Sequence, residues 1–405
     1  MKRRLTRRVA VLVPVTMALV AGTVVGAVSM LAVQDLPAET GDGPTTSTGK
    51  GPLPTLPVTK PHEGVLLAWT PTSLAPGLDD AARSAGGVAA TTVVRQGIVD
   101  MSASTDADGA VVDDSSEGFT IPVDAIGIDP ATYVDFVPSS ARTMVGQLGP
   151  EEVLLGRTSA QLRRLGVDAT LTFSSGTTFR VAGIVDDTLV AAAEVIFSTA
   201  GADRVGLTME RYLLATFVDG RQAVEGAIRA ALPPGTPVRL RTQAETPYLR
   251  AGDAVLPQVL VKQRFGEFAY RRGEGDEFEQ DPAWEAVNIV TAEVPILGTI
   301  RCHRALVPTV TALLQQLEQQ QLGFLIDPEG YRGCWNPRFT RTGTSVSRHA
   351  WGVALDVNYA VNQTCLSSEQ DPRLVALFER WGFTWGGDWL CPDPAHVEYF
   401  RPPPS

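Results

Sequence analysis

Ser347-Arg348-His349-Ala350-Trp351-Gly352-Val353-Ala354-Leu355-Asp356-Val357-Asn358 (residues 347–358) is the stretch whose pattern decides the fold of the C-terminal part. After Gly352, Val353, Leu355 and Val357 alternate with Ala354, Asp356 and Asn358, which is the period of a strand with one face on an aliphatic core. Asp356 then points to the opposite face, where the small side chain of Ala354 leaves room beside it. Gly352 allows the turn that brings His349 back over the strand. An imidazole nitrogen and a carboxylate oxygen converging in this way suit Zn²⁺. A His–Asp pair on its own is more often a structural hydrogen bond, so a third donor is needed.

The other histidines are His62, His303 and His396. His396 lies in Trp389-Leu390-Cys391-Pro392-Asp393-Pro394-Ala395-His396-Val397-Glu398-Tyr399-Phe400, with Asp393 three residues before it in a loop bracketed by prolines. A catalytic zinc keeps three protein ligands and one water, and a nearby carboxylate must take that water's proton. His349, Asp356 and His396 as ligands with Asp393 as base fill these roles. Glu398, two residues past His396 on the same strand face, is the alternative base. His303, next to Cys302, reads as a surface or capping residue, and His62 as an inert linker residue.

The segments SRHAWGVALDVN (347–358) and FTWGGDWLCPDPAHVEYF (383–400) resemble the zinc D-alanyl-D-alanine carboxypeptidases and L-alanyl-D-glutamate endolysins of the VanY-like peptidase family. The shared pattern is S-x-H-x-x-G-x-A-x-D, then W-G-G-D-W and D-P-x-H, and the resemblance spans roughly residues 257–405. It implies zinc on His349, Asp356 and His396, with Asp393 as general base. It also implies an arginine near the substrate carboxylate or the oxyanion, for which GYRGCWNPR (330–338) offers Arg338 first and Arg332 second. Ser347 and Trp389 are further candidates on the substrate side. The implied reaction is hydrolysis of a peptidoglycan stem peptide, of either the carboxypeptidase or the endopeptidase type. The competing reading is a non-catalytic peptidoglycan-binding or regulatory subunit of a membrane complex. The complete set of ligands and base argues against it.

Working outward, the chain has 405 residues, 44% of them hydrophobic, and a formal charge of −11. This length suggests two folded domains with additional segments. Lys2, Arg3, Arg4, Arg7 and Arg8 are the only charges before residue 34, and without them 29 basic residues face 45 acidic ones. So acidic a body repels phosphate backbones, which excludes nucleic acid as an expected partner. Residues 9–33 carry no charge and are long enough to cross a bilayer, with the basic segment 1–8 left in the cytoplasm. A secretory signal normally has a shorter apolar stretch, so a single-pass anchor is expected over a cleaved signal. Either one exports the remainder of the chain. Residues 34–61, rich in Pro, Gly and Thr, read as a linker.

Residues 62–250 read as a mixed α+β domain without clustered chemistry. Thr158 with Gln161 forms a capping-box pattern, Leu162 and Leu165 face inward, and Gly166 is expected to end that helix. Ala169–Phe173 and Thr178–Val185 read as a hairpin with Leu171, Phe173, Phe179 and Val181 on one face. LGPEEVLLGRTSAQLRRLGVDATLTFSSGTTFRVAGIVDDT (148–188) resembles the extracytoplasmic domain of FtsX/MacB-type ABC permeases. That resemblance implies a domain that contacts a protein partner, since the multi-span permease itself is missing.

All four cysteines (Cys302, Cys334, Cys365 and Cys391) and six of the seven tryptophans follow residue 283. No C-x-x-C pair occurs, and an exported chain is oxidising territory, so two disulfides are expected; of the three pairings that four cysteines allow, Cys302–Cys334 with Cys365–Cys391 is favoured. Two helices are legible in this second α+β domain. One lies near 304–322, with Leu306, Val310, Leu313, Leu314 and Leu317 on its stripe. The other opens at Asp371-Pro372 and stops at Gly382.

Overall fold

One strand organises the first half of the fold. In the computed structural model, which describes residues 64–402 apart from 116, 117, 219 and 255, the first ten strands are β1 (Val65–Trp69), β2 (Val88–Thr105), β3 (Val111–Asp114), β4 (Ile121–Ile128), β5 (Glu152–Gly156), β6 (Thr170–Phe173), β7 (Thr178–Val185), β8 (Val195–Ser198), β9 (Glu210–Phe217) and β10 (Arg239–Thr242). The expected membrane segment 9–33, the linker 34–61 and His62 lie outside the described residues. Among the described residues, no helix is long and apolar enough to cross a membrane.

Strand β2 is 18 residues long, so different parts of it pair with β9, β4, β6 and β3. The order β2-β4-β8-β5-β7-β6 returns to β2, and this closure leaves those six strands without a free edge. Phe173, Phe179 and Phe197 meet in the core that they share, with ring centroids 5.0–5.7 Å apart. The β6–β7 hairpin pairs Leu171 with Phe179 and buries the four expected side chains.

The capping box does not form. The helix runs from Arg157 to Arg163 with Gly156 at its N-cap, so Thr158 already lies inside the first turn. Its amide and hydroxyl go to the Asp187 carboxylate at 3.1 and 2.5 Å, a cap supplied from a distant segment. The helix also ends before Gly166, because Arg164 takes the left-handed conformation (φ 54°).

After residue 257 the fold is built from small antiparallel pieces. β11 (Tyr270–Arg272) pairs with β12 (Phe278–Gln280), and β13 (Ile289–Val294) pairs with β14 (Gly298–His303). β15 (Ala354–Asp356), β17 (His396–Tyr399) and β16 (Phe383–Trp385) form a three-stranded sheet with β17 in the centre. Helices Val307–Gln319 and Pro372–Arg380 pack on these pieces through Val310, Leu313, Leu314 and Leu317 and through Leu374, Leu377 and Phe378. Asp371 caps the second helix by accepting the Arg373 amide at 2.8 Å. Both expected disulfides are present, with Cα atoms 5.3 Å apart for Cys302–Cys334 and 4.9 Å apart for Cys365–Cys391.

A buried ionic cluster ties helix Gln258–Phe265 to the strands before it. The Lys262 ammonium, in a fully buried side chain, reaches Glu194 at 2.9 Å, Glu267 at 2.6 Å and the Pro122 carbonyl at 2.6 Å. Arg163 donates to Glu194 at 2.6 Å and also pairs with Glu267, while the Gln258 amide donates to Glu194 at 2.9 Å. Burial alone would raise the Glu194 pKa, but Lys262 and Arg163 outweigh it and lower it from 4.5 to about 2. A depressed carboxylate of this kind adds stability that is complete above its unfolded pKa and lost as pH falls toward the folded value. Glu194→Gln should therefore cost about 3–5 kcal/mol near neutral pH. It should also flatten the loss of stability between about pH 4.5 and 2. Urea unfolding midpoints across that range check this, and an unchanged acid profile would contradict it.

Candidate metal centre

The β15–β17 register sets Asp356 opposite His396 and Ala354 opposite Glu398. His349 comes from a 3-10 turn, Arg348–Trp351, whose start is held by the Ser347 hydroxyl oxygen accepting the His349 amide at 3.3 Å. Gly352 closes the turn at φ 66°, and a Cβ there would stand 2.6 Å from the His303 amide nitrogen. Conformation and space both require glycine at this position.

Three atoms converge as a result. Asp356 Oδ1 lies 3.2 Å from His349 Nε2 and 3.0 Å from His396 Nδ1, and the two nitrogens are 3.2 Å apart. The remaining ring nitrogens are both engaged: His349 Nδ1 donates to the Cys334 carbonyl at 2.9 Å, and His396 Nε2 to the Glu398 carboxylate at 3.3 Å. Those two bonds fix the tautomers so that one lone pair of each ring faces the Asp356 oxygen. Three facing lone pairs in a buried site call for a cation among them. Two imidazoles and one carboxylate suit zinc, and among the described residues these three form the one such donor group.

The electrostatics agree. Burial would raise the Asp356 pKa, but His349 and His396 hold it far below the usual carboxylate range. With a proton as the only available cation, burial would lower the His396 pKa, yet Asp356 and Glu398 push it up to about 10.

Asp393 belongs to the loop that enters β17. Its amide bonds the Gly386 carbonyl at 2.8 Å, its own carbonyl accepts the His396 amide at 3.0 Å, and its Oδ1 accepts the Thr364 hydroxyl at 3.1 Å. A Cβ on Gly386 would fall 2.6 Å from the Asp393 carbonyl oxygen and 3.3 Å from His396 Cβ, so glycine lets the loop lie this close. Burial raises the Asp393 pKa; His396 opposes this and the Asp356 charge adds to it. The half-buried Trp389 ring sits 5.0 Å from the His396 ring and walls the site on that side. Cys365–Cys391 ties the same loop to the segment carrying Thr364.

The other sequence candidates fall around this centre. Ser347 is buried and holds the His349 turn. The Arg338 carbonyl accepts the Ser347 amide at 3.0 Å, which brings its backbone beside the turn. The Arg332 amide bonds the Asp356 carbonyl at 2.9 Å, while its side chain is exposed near Tyr359. Among the described residues neither guanidinium bonds the three convergent atoms. The exposed Arg341, which no sequence motif singles out, lowers the Asp393 pKa through its charge. Tyr331 is likewise absent from the sequence candidates; its buried hydroxyl has no hydrogen-bond partner among the described residues, and the Asp356 charge acts on it. His303 corrects the surface reading: it is buried, its Nδ1 accepts the Ala305 amide at 3.1 Å, and its Nε2 donates to the Phe265 carbonyl at 3.2 Å. Burial lowers its pKa to about 4, so it is a neutral capping residue.

Residues 340–399 match a family model described as D-alanyl-D-alanine carboxypeptidase. That span holds His349, Asp356, Asp393, His396 and Glu398, and Arg332 and Arg338 precede it. Among solved structures, the chain is similar to the periplasmic region of MacB from Actinobacillus actinomycetemcomitans, at 9% identity and a TM-score of 0.32, covering 45% of this chain and 91% of that one. It is also similar to the extracellular domain of the noncanonical ABC-type transporter YknZ from Gram-positive bacteria, at 10% identity and a TM-score of 0.28, covering 44% and 98%. No curated protein matches the chain.

The position of Glu398 separates its two possible roles. Its carboxylate is buried behind His396, on the nitrogen that faces away from Asp356. Glu398→Ala should therefore weaken zinc binding by about 10–100-fold, as loss of a ligand-orienting partner does. Chelator competition measures this. Unchanged zinc affinity with abolished turnover would instead make Glu398 the base.

Proposed function

We propose that this chain is a zinc-dependent peptidase acting on peptidoglycan stem peptides outside the cytoplasm, of the D-Ala-D-Ala carboxypeptidase or L-Ala-D-Glu endopeptidase type. The observation that carries this reading is the convergence of His349, Asp356 and His396, each imidazole oriented from behind, with Asp393 in the loop that delivers His396. His349, Asp356 and His396 would hold the zinc, which when bound supplies a Lewis acid for the scissile carbonyl and a water of lowered pKa. Asp393 takes a proton from the attacking water and passes it to the leaving amine. Its burial favours this exchange, because a raised pKa brings a carboxyl closer to the working pH. Arg338 is the proposed partner of negative charge on the substrate or the oxyanion, with Arg332 as second candidate; Trp389 completes the substrate side, while the buried Ser347 serves the turn that carries His349.

The uncharged segment 9–33 is proposed to anchor the chain in the cell membrane by a single span, with the folded parts outside. Residues 62–250, through their resemblance to permease extracytoplasmic domains, are proposed to contact a protein partner. Two disulfides fit such an oxidising location.

Asp393→Ala should lower hydrolysis of a stem peptide by at least about 100-fold, the scale of a general base, while zinc stays bound. Mass spectrometry of digested muropeptides reads both the loss and the bond that is cut. Zinc retention with unchanged turnover would overturn the role of Asp393, and absence of any cleavage by the native chain would favour the non-catalytic reading.

A further inference from the structure

The segment between β10 and helix Gln258–Phe265 bonds both the loop that leads to His396 and the turn that carries His349. Asp253, whose side chain is only 7% exposed, accepts the Leu390 amide on Oδ2 at 2.7 Å. Its Oδ1 faces the guanidinium groups of Arg239 at 3.3 Å and Arg241 at 3.4 Å, both from β10. Arg239 also donates to the Asp388 carbonyl at 2.8 Å. Further along the segment, the Leu256 carbonyl accepts from the buried Arg348 guanidinium at 2.6 Å, one residue from His349.

These contacts fall on the part of the loop that its own chain leaves least restrained. Its end is fixed by the Cys365–Cys391 bridge, the Thr364–Asp393 hydrogen bond and the bonds between Gly386 and Asp393. Asp388 and Leu390, which flank the Trp389 ring beside His396, are held from across the fold by Arg239 and Asp253. The Leu390 side chain packs against the core that contains Leu67, Tyr212 and Leu214. A buried carboxylate is costly unless it is paired and hydrogen-bonded, and here both its oxygens are committed to this one junction.

We propose that Asp253, backed by Arg239 and Arg241, is a positioning residue for the loop Gly386–Asp393: it clamps the Leu390 amide, thereby sets Trp389 beside His396 and steadies the loop that ends in Asp393. Peptide turnover then depends on β10, which precedes the segment that matches the peptidase family model. This inference rests on the peptidase reading above.

The test compares the full chain with Asp253→Ala, Asp253→Asn and Arg239→Gln. Three quantities are read: zinc content, kcat and KM on a stem peptide, and amide hydrogen exchange over residues 386–393. In Asp253→Ala, exchange at Leu390 should rise roughly ten-fold or more, since its acceptor is gone. Turnover should fall about 10–100-fold in kcat, with KM and zinc content little changed, because misplacement of catalytic groups is felt in the chemical step. Asp253→Asn, which keeps an oxygen acceptor, should recover much of both. Unchanged exchange, or faster exchange with unchanged kcat, overturns the proposal. If Asp253→Ala does not fold, Arg239→Gln carries the same comparison through the Asp388 contact, with the same outcomes deciding. If the native chain cleaves no stem peptide, the peptidase reading fails, and the exchange data alone decide whether Asp253 clamps the loop.

Discussion

Two imidazole nitrogens and one carboxylate oxygen meet at 3.0–3.2 Å with their lone pairs facing one another, and much of the C-terminal architecture serves to hold them there. Left alone, such a group would repel itself apart or flip its rings. The Cys334 carbonyl and the Glu398 carboxylate prevent the flip by binding the outer nitrogens. Cys334 is fixed in turn by its bridge to Cys302 on β14, and Glu398 by its place in the central strand of a three-stranded sheet. Each imidazole is thus oriented from behind, His349 by a carbonyl of a disulfide-bonded segment and His396 by a carboxylate of its own strand, as outer partners orient metal-binding histidines.

The same logic extends across the chain. Residues 340–399 do not stand apart from what precedes them: the segment carrying Asp253 and Leu256 grips both the Asp393 loop and the His349 turn, and the helix after it enters a buried ionic cluster with Arg163 and Glu194 through Gln258 and Lys262. Unpaired, charges of this kind would be expelled from a core; here Lys262 and Arg163 are each met by Glu194 and Glu267.

Local chemistry was legible in the sequence, and long-range partnership was not. The hairpin at 170–185 and the Asp371-Pro372 helix start depend on residues a few positions apart and appear as expected, while the strand after Gly352 is confined to Ala354–Asp356, with Ala354 buried as fully as Leu355. That His349, Asp356 and His396 would converge was also readable, because the chain has only four His and each could be weighed. By contrast, the cap on helix Arg157–Arg163 comes from Asp187, and the charge that draws Arg163 inside comes from Glu194 and Glu267. No local pattern announces such partners. The capping role of His303 was readable, but its burial was not, being set by Phe265 and Trp284. Asp253 carries no signal of its own, since nothing beside it in the chain needs a carboxylate.

The proposed peptidase requires a metal held jointly by His349, Asp356 and His396. Crystals of the zinc-loaded chain, measured on either side of the zinc absorption edge, test it most directly. The account requires one strong anomalous peak within bonding distance of His349 Nε2, His396 Nδ1 and an Asp356 oxygen. A peak elsewhere, or none at these three atoms in protein that cleaves stem peptides, would contradict it.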